Sequence, residues 1–235
     1  MSALLTSHFR ATLALCVTVL AAIVGAQPAQ ALDDGRDVPR LVSFGGVCVR
    51  CDLSTRKLTG AHFLGGNFQQ SSLIGADLRG ASLLGVNFSG AVFTHADLRG
   101  ASITGGSLQG ADLTGANLVG LMTVGANLRD VKAAGARFDG ARLVGAQMEG
   151  GDFQNASFQD AELLGAALTG GHFAHANFRN AHLQGATIAG ADLSSALNLT
   201  REQIAQACAD RATRLPSGLT ARFCFGRLVV VRREP

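Results

Sequence analysis

The residues of this chain best equipped for chemistry are few, and they fall in two short stretches. Cys48 and Cys51 in GGVCVRC have the three-residue separation of a redox pair, of half a zinc site, or of a local disulfide. His172, His175 and His182 crowd into GGHFAHANFRNAH, with Asp152 and Asp192 each twenty residues from His172. Neither stretch is completed elsewhere. There is no second CxxC and no βαβ pattern around the first, so neither the zinc nor the redox reading gains a partner motif. No phosphate-binding loop, nucleophile elbow or pair of helical metal ligands occurs in the remaining sequence. An enzyme needs polar groups converging in a cavity, so what matters is which elements carry these residues and whether they leave a cavity at all.

Those elements announce themselves by repetition. From Leu53 to Leu193 every fifth residue forms one series, and 27 of its 29 positions are Leu, Phe, Ile or Met, the exceptions being Thr123 and Ala133. Ala stands two residues before the series at 19 of the 29 positions and Gly two residues after at 20, with no insertion breaking the register. A helix turning about 100° per residue would scatter successive members about 140° apart around its surface. A straight strand would alternate them between its faces, because five is odd. The chain must therefore bend once per repeat, returning each large apolar residue, and the Ala two before it, to one interior. A second period sits inside the first. Phe138, Phe158 and Phe178 are twenty apart, and so are most members of the outward aliphatic set Leu64, Leu84, Val124, Val144 and Leu164. Twenty residues per coil means four sides. Leu78, Leu98, Leu118, Phe138, Phe158 and Phe178 are thus expected to stack in one core row, and 29 repeats make about seven coils and a rod about 34 Å long.

Tandems such as ADLRG (76–80), ADLTG (111–115) and ANLVG (116–120) resemble the pentapeptide repeat family, over residues 51–195. The resemblance implies an all-β fold, a right-handed quadrilateral parallel β-helix. It places His172 and His182 on opposite sides of the square, which argues against a three-histidine metal site, and it stacks Asp112, Lys132, Asp152, His172 and Asp192 as an outer charge ladder, with Arg142, Glu162 and His182 as another. At the two exceptions the sequence restores volume at the neighbouring inward position: Leu121 replaces the Ala before Thr123, and Val131 the Ala before Ala133.

The flanks read differently. Residues 1–31 hold an apolar run of about sixteen residues, shorter than the roughly twenty that cross a bilayer, followed by Ala29-Gln30-Ala31; this is the pattern of a secretory signal peptide, with the mature chain starting near Leu32 and carrying no integral membrane segment. Residues 32–50 are expected to form an N-terminal cap. Residues 196–235 are expected to form a C-terminal cap: Thr200 with Gln203 makes a capping box opening a short α-helix over about 201–209, then a turn and a strand in ARFCFGRLVVV. This tail resembles that of exported bacterial pentapeptide repeat proteins. The rod holds Cys48 and Cys51 far from Cys208 and Cys224, beyond the roughly 7 Å that a disulfide spans. The expected pairing is therefore Cys208–Cys224, with Cys48–Cys51 a local disulfide or else a redox or metal-linked pair.

Composition narrows the function. The net charge is +3 and the chain has no Trp or Tyr, so the basic face with aromatic platforms that nucleic acid requires is missing. The family resemblance implies one further activity, inhibition of DNA gyrase by imitation of duplex DNA, which depends on a densely acidic surface. Residues 51–195 hold 11 acidic and 9 basic side chains, and a secretory leader would carry the product away from such a target. What is expected is an exported, periplasmic or secreted, non-enzymatic scaffold without cofactors, catalytic residues or metal ligands, which binds a protein partner or itself. The stripe Leu64, Leu84, Val124, Val144 and Leu164 is the candidate contact surface.

Overall fold

The computed structural model describes residues 43–223. The proposed leader, Leu32 and Cys224 lie outside them. The described chain winds as a four-sided parallel β-solenoid, the architecture the five-residue period demands. Residues stack on partners twenty positions away: Asp52, Ser72, Val92, Asp112, Lys132, Asp152, His172 and Asp192 stand in one bridged column, seven coil steps in all.

One repeat shows why the period is five. In Ala76-Asp77-Leu78-Arg79-Gly80, the Asp77 N–H donates to the coil below, at Arg56 O (2.9 Å). The Leu78 and Gly80 N–H groups donate to the coil above, at Asp97 O (2.7 Å) and Arg99 O (2.9 Å). Ala76 N–H closes the preceding corner on Leu73 O at 3.0 Å. The last donor, Arg79 N–H, has no backbone partner in this pattern and is taken by Asp77 Oδ1 at 3.2 Å. All five backbone donors are satisfied, as a buried winding requires. The corner itself needs a left-handed residue, and Gly80 supplies it at φ 64°. Asp or Asn at the second position caps its own corner in the same way at Asp52, Asn67, Asn87, Asp97, Asp112, Asn117, Asn127, Asp152, Asn177 and Asp192.

Leu78, Leu98, Leu118, Phe138, Phe158 and Phe178 are all fully buried, in an interior tiled by the Leu/Phe series and its Ala companions. At the two exceptions, Leu121, Thr123, Val131 and Ala133 all point inward and are buried, and the Thr123 hydroxyl donates to Arg142 O at 3.2 Å. Three phenylalanines use a further device. Gly66, Gly151 and Gly171 stand where Ala is usual, and a Cβ there would come within 2.5, 2.5 and 2.7 Å of the rings of Phe68, Phe153 and Phe173. The missing methyl makes room for the ring.

The four sides are not equivalent. On three of them neighbouring coils meet through single bridges, whereas the fourth extends into β1 (Ser43–Phe44), β2 (His62–Leu64), β3 (Ser82–Leu84), β4 (Ser102–Thr104), β5 (Met122–Val124) and β6 (Arg142–Val144), joined in that order as one parallel sheet. The winding starts before the repeat becomes recognisable. β1 pairs with β2 and Val47 bridges Asn67, so from residue 43 on the segment expected as an N-terminal cap is already part of the winding.

The C-terminal region departs from expectation in one respect. The helix, α1, spans Arg201–Ala205 rather than reaching residue 209; its capping box is formed, with Gln203 N–H on Thr200 Oγ1 and Thr200 N–H on Gln203 Oε1. α1 takes the place of one side of the last coil, and Gln203 Nε2 donates to Phe178 O and Ala181 O, both at 2.8 Å. The chain then leaves the helix because the top coil still presents unpaired backbone. Cys208 N–H donates to Ala186 O, the Cys208 carbonyl accepts from Ile188 N–H, and Arg214 bridges Asp192, so two more sides are laid down. β7 (Cys208–Ala209) pairs in parallel with β8 (Arg222–Phe223). Ile204, Ala207 and Ala209 are buried and close the apolar interior at this end.

Candidate functional site

A filled core leaves chemistry only the outside of the rod. Among the described residues no group of three or more His, Cys, Asp or Glu is placed to hold a metal ion. His172 stacks in the Asp152–Asp192 column and His182 above Glu162 in another, on opposite sides of the square. A shallow depression near the C-terminal end is lined by Gln159, Asn177, Arg179, Asn180, Asn198, Leu199 and Thr200, with a single charge among them.

The charged columns work differently from the ladder read in the sequence. Asp112, Asp152 and Asp192 are engaged by the N–H groups of Thr114, Gln154 and Ser194, so each caps its own corner. Asp192 also reaches the next coil, with its Oδ2 3.5 Å from Arg214 Nη1. Among the described residues Lys132 forms no ion pair with either flanking aspartate. The second column does pair, with Arg142 Nε 3.0 Å from Glu162 Oε2. The strongest local pairs were not singled out in the sequence: Arg79 grips Asp77 and Arg99 grips Asp97 through both carboxylate oxygens, at 2.6–2.9 Å. The Arg79 guanidinium draws the Asp77 carboxyl down to about 2, and Arg99 lowers that of Asp97. The signal for them was present, in the repetition of ADLRG at 76–80 and 96–100.

Cys48 and Cys51 form a disulfide across one corner, with Cα atoms 5.4 Å apart. They occupy the central and Ala positions of the repeat register and are 3% and 7% exposed. Ser71, one coil on, stands where Ala is usual and is fully buried. Its hydroxyl donates to Cys48 O at 2.7 Å and accepts from Cys51 N–H at 3.2 Å. Cys208 is disulfide-bonded too, and its expected partner Cys224 lies outside the described residues.

The expected stripe falls on the sheet β2–β6. Leu64, Leu84, Thr104, Val124 and Val144 are successive register partners, and Gly145 N–H donates to Leu164 O at the next coil. Leu64, Leu84, Val124 and Leu164 are exposed, Val124 most of all at 66%, while Val144 is half-buried. The other outward position on these strands reads His62, Ser82, Ser102, Met122 and Arg142, so from β2 to β5 the sheet presents no Asp, Glu, Lys or Arg.

A four-sided solenoid with a packed interior and capped corners defines a class of repeat proteins rather than a reaction. Eight copies of the family pattern described as pentapeptide repeats match this sequence over residues 48–83, 81–120, 124–160 and 161–197. The chain belongs to the pentapeptide repeat family. Among solved structures it is similar to HetL, a pentapeptide repeat protein involved in heterocyst differentiation regulation in the cyanobacterium Nostoc. That match has 22% identity, covers 77% of this chain and 92% of HetL, and has a TM-score of 0.53. It also matches QnrB1, a plasmid-mediated fluoroquinolone resistance protein, at 18% identity over 72% of this chain and 92% of that one, with a TM-score of 0.41. A pentapeptide repeat protein of the Arabidopsis thaliana thylakoid lumen matches at 30% identity over 50% of this chain and 68% of its own, with a TM-score of 0.18. No match is found among curated protein sequences. These likenesses concern the fold.

Proposed function

We propose that this chain is a non-enzymatic scaffold working outside the cytoplasm, and that the sheet β2–β6 with Leu164 is its contact surface. The carrying observation is that outer face: a column of aliphatic side chains in register over six coils, interrupted at Thr104, with no Asp, Glu, Lys or Arg along its first four. Contiguous exposed apolar surface on an otherwise polar molecule marks a place where something docks. The filled interior supports the non-enzymatic part of the reading, since among the described residues the apolar core gathers no reactive groups around an enclosed space. The corner-capping and ion-paired aspartates argue against imitation of duplex DNA, which would need a continuous unneutralised acidic row. The two buried cysteines tied to Ser71 favour a structural staple over a redox couple, because thiol exchange needs an accessible sulfur. The leader-like residues 1–31 and the disulfides support export; among the described residues no helix is long and apolar enough to cross a membrane.

The Leu84→Lys/Val144→Lys double variant tests the surface. Both side chains face outward, so the circular dichroism spectrum should stay that of the wild type, while any oligomer or complex seen by light scattering should disappear. A complex that survives the double variant places contact elsewhere. Export is checked separately by the N-terminal sequence of the protein recovered from the cell envelope, expected to begin near Leu32.

A further inference from the structure

Resting on that reading of the sheet face, we infer that its occupant is a second copy of this chain, docked face to face with the two rods antiparallel. Two identical sheets can meet through a two-fold axis lying between them in one of two aligned ways. If the axis runs along the rods, each outward column faces the other column at the same coil. Glu162 then faces Leu164 of the second copy, Arg142 faces Val144, Ser82 faces Leu84 and His62 faces Leu64. Both charges are pressed against aliphatic side chains, which costs free energy at every such row. If the axis runs along the strands, each column faces itself with the coil order reversed.

The second arrangement matches like with like. In the aliphatic column Leu64 meets Leu164, Leu84 meets Val144, and Thr104 meets Val124. In the other column Ser82 meets Arg142, Ser102 meets Met122, and His62 meets Glu162. Each Glu162, already 3.0 Å from its own Arg142, gains an imidazole from the opposite copy, and no two like charges are opposed. The aliphatic column is thus nearly palindromic in size about a point between β4 and β5, and the other column sets each carboxylate against an imidazole that can donate to it.

The edges of the face permit close approach. The corners on either side are glycine at 60, 80, 100, 120 and 140, and at 65, 85, 105, 125 and 145. They carry no side chain that would stand above the sheet. The first exception is Asp160, which in the antiparallel arrangement lies over the open corner of Gly60. Two such sheets pack about 10 Å apart. The face covers roughly 10 by 24 Å, well below the ~800 Å² per partner of a standard interface. Association is therefore weak and reversible, and shows itself only at high protein concentration.

Single introduced thiols read the register. Leu64 and Leu164 are five coil steps apart, so in the antiparallel pair position 64 lies against position 164 of the second copy and about 24 Å from that copy's position 64. The mature, disulfide-intact protein is prepared as Leu64→Cys and as Leu164→Cys, both exposed sites, and oxidised at concentrations up to about 1 mM, with linked peptides identified by mass spectrometry. The expected result is a cross-link joining the Leu64→Cys chain to the Leu164→Cys chain when the two variants are mixed, at least tenfold above the self-cross-link of either variant alone. It should fall about tenfold when Glu162→Lys is added to the Leu164→Cys chain. A self-cross-link between two Leu64→Cys chains would overturn the antiparallel arrangement while leaving the face a contact surface. A chain that stays monomeric at every concentration and forms no cross-link would overturn the second copy as occupant. The Leu84→Lys/Val144→Lys variant would still decide whether the face binds anything else.

Discussion

The coils from Phe138 to Phe178 and those from Leu98 to Ala133 share one backbone plan and pack their interiors in different ways. In the later coils Phe138, Phe158 and Phe178 stack at 5.0 and 5.2 Å with planes within 4° and 12° of parallel, and Phe153 stacks on Phe173 at 5.1 Å. Edge and tilted contacts at 5.6–6.1 Å join the two stacks into one aromatic column. Between Leu98 and Ala133 the inward series contains no ring at all, and here the two exceptions, Thr123 and Ala133, occur. A solenoid contacts only its neighbours, so its stability is close to a sum of local terms. The same period can therefore carry a ring-stacked stretch and an aliphatic one on the same backbone plan.

The sharpest way to break this comparison is truncation in each stretch. Phe158 touches Phe138, Phe153, Phe173 and Phe178 at once. Phe158→Ala should cost about 3–5 kcal/mol in urea denaturation, and Leu118→Ala, which leaves a smaller void among aliphatic neighbours, should fall near the lower end of about 2–5 kcal/mol. Equal losses would mean that the rings contribute only bulk and that their stacking adds nothing.

A subtler test stays in the middle coils. Leu121 and Thr123 fill one interior with the usual order of large and small reversed. Thr123→Leu should overpack it, at about 1–3 kcal/mol, and Leu121→Ala should empty it, at about 2–5 kcal/mol. The double variant restores the common order and should lie within about 1.5 kcal/mol of the wild type, a strong non-additivity that thermal or urea melts would register. Additive losses would show that each site packs independently and that the reversal is drift.

These cases also show what could be read from the residues alone. The five-residue series and the twenty-residue period fixed which side chains point inward, because only a coil with four bends returns every fifth residue to the same interior. The unequal lengths of pairing on the four sides could not be read, since all four use the same repeat pattern. The helix was placed correctly at its start, where Thr200 and Gln203 satisfy local donors, and too far at its end, where Ala186 O and Ile188 N–H on the coil beneath compete for Cys208. A local pattern predicts the first and only the tertiary ladder decides the second. The register extends back to Cys48 and Arg50, which has φ 59° like the other corners, and the family pattern matches from residue 48; with Cys in place of Leu and Ala, the apolar series alone does not show it. The aspartate columns were read as ladders because their twenty-residue spacing was evident, whereas the bond from each Asp or Asn to the N–H two residues on appears only once the corner is built.

The smallest expected effect separates coils by their charges, at the entry to the aliphatic middle and inside it. The ADLRG repeats at 76–80 and 96–100 hold gripped carboxylates, while ANLVG at 116–120 in the middle has none. Asp77 has its pKa lowered to about 2, first by the hydrogen bonds from Arg79, against about 3.9 in an unfolded chain. A carboxyl depressed in the folded state stabilises it above the unfolded value, and that contribution is lost as the pH falls through the folded one. Between about pH 4 and pH 2 the coils around Asp77 and Asp97 should therefore lose amide-exchange protection relative to the coil at 116–120, once intrinsic rates are corrected for pH. The Asp77→Asn variant keeps the corner cap, because an amide oxygen still accepts from Arg79 N–H, but it has no proton to gain, so the part of the loss due to Asp77 should vanish. If the variant and the wild type lose protection in parallel, the grip of Arg79 on Asp77 is surface decoration and the acid response comes from elsewhere in the rod.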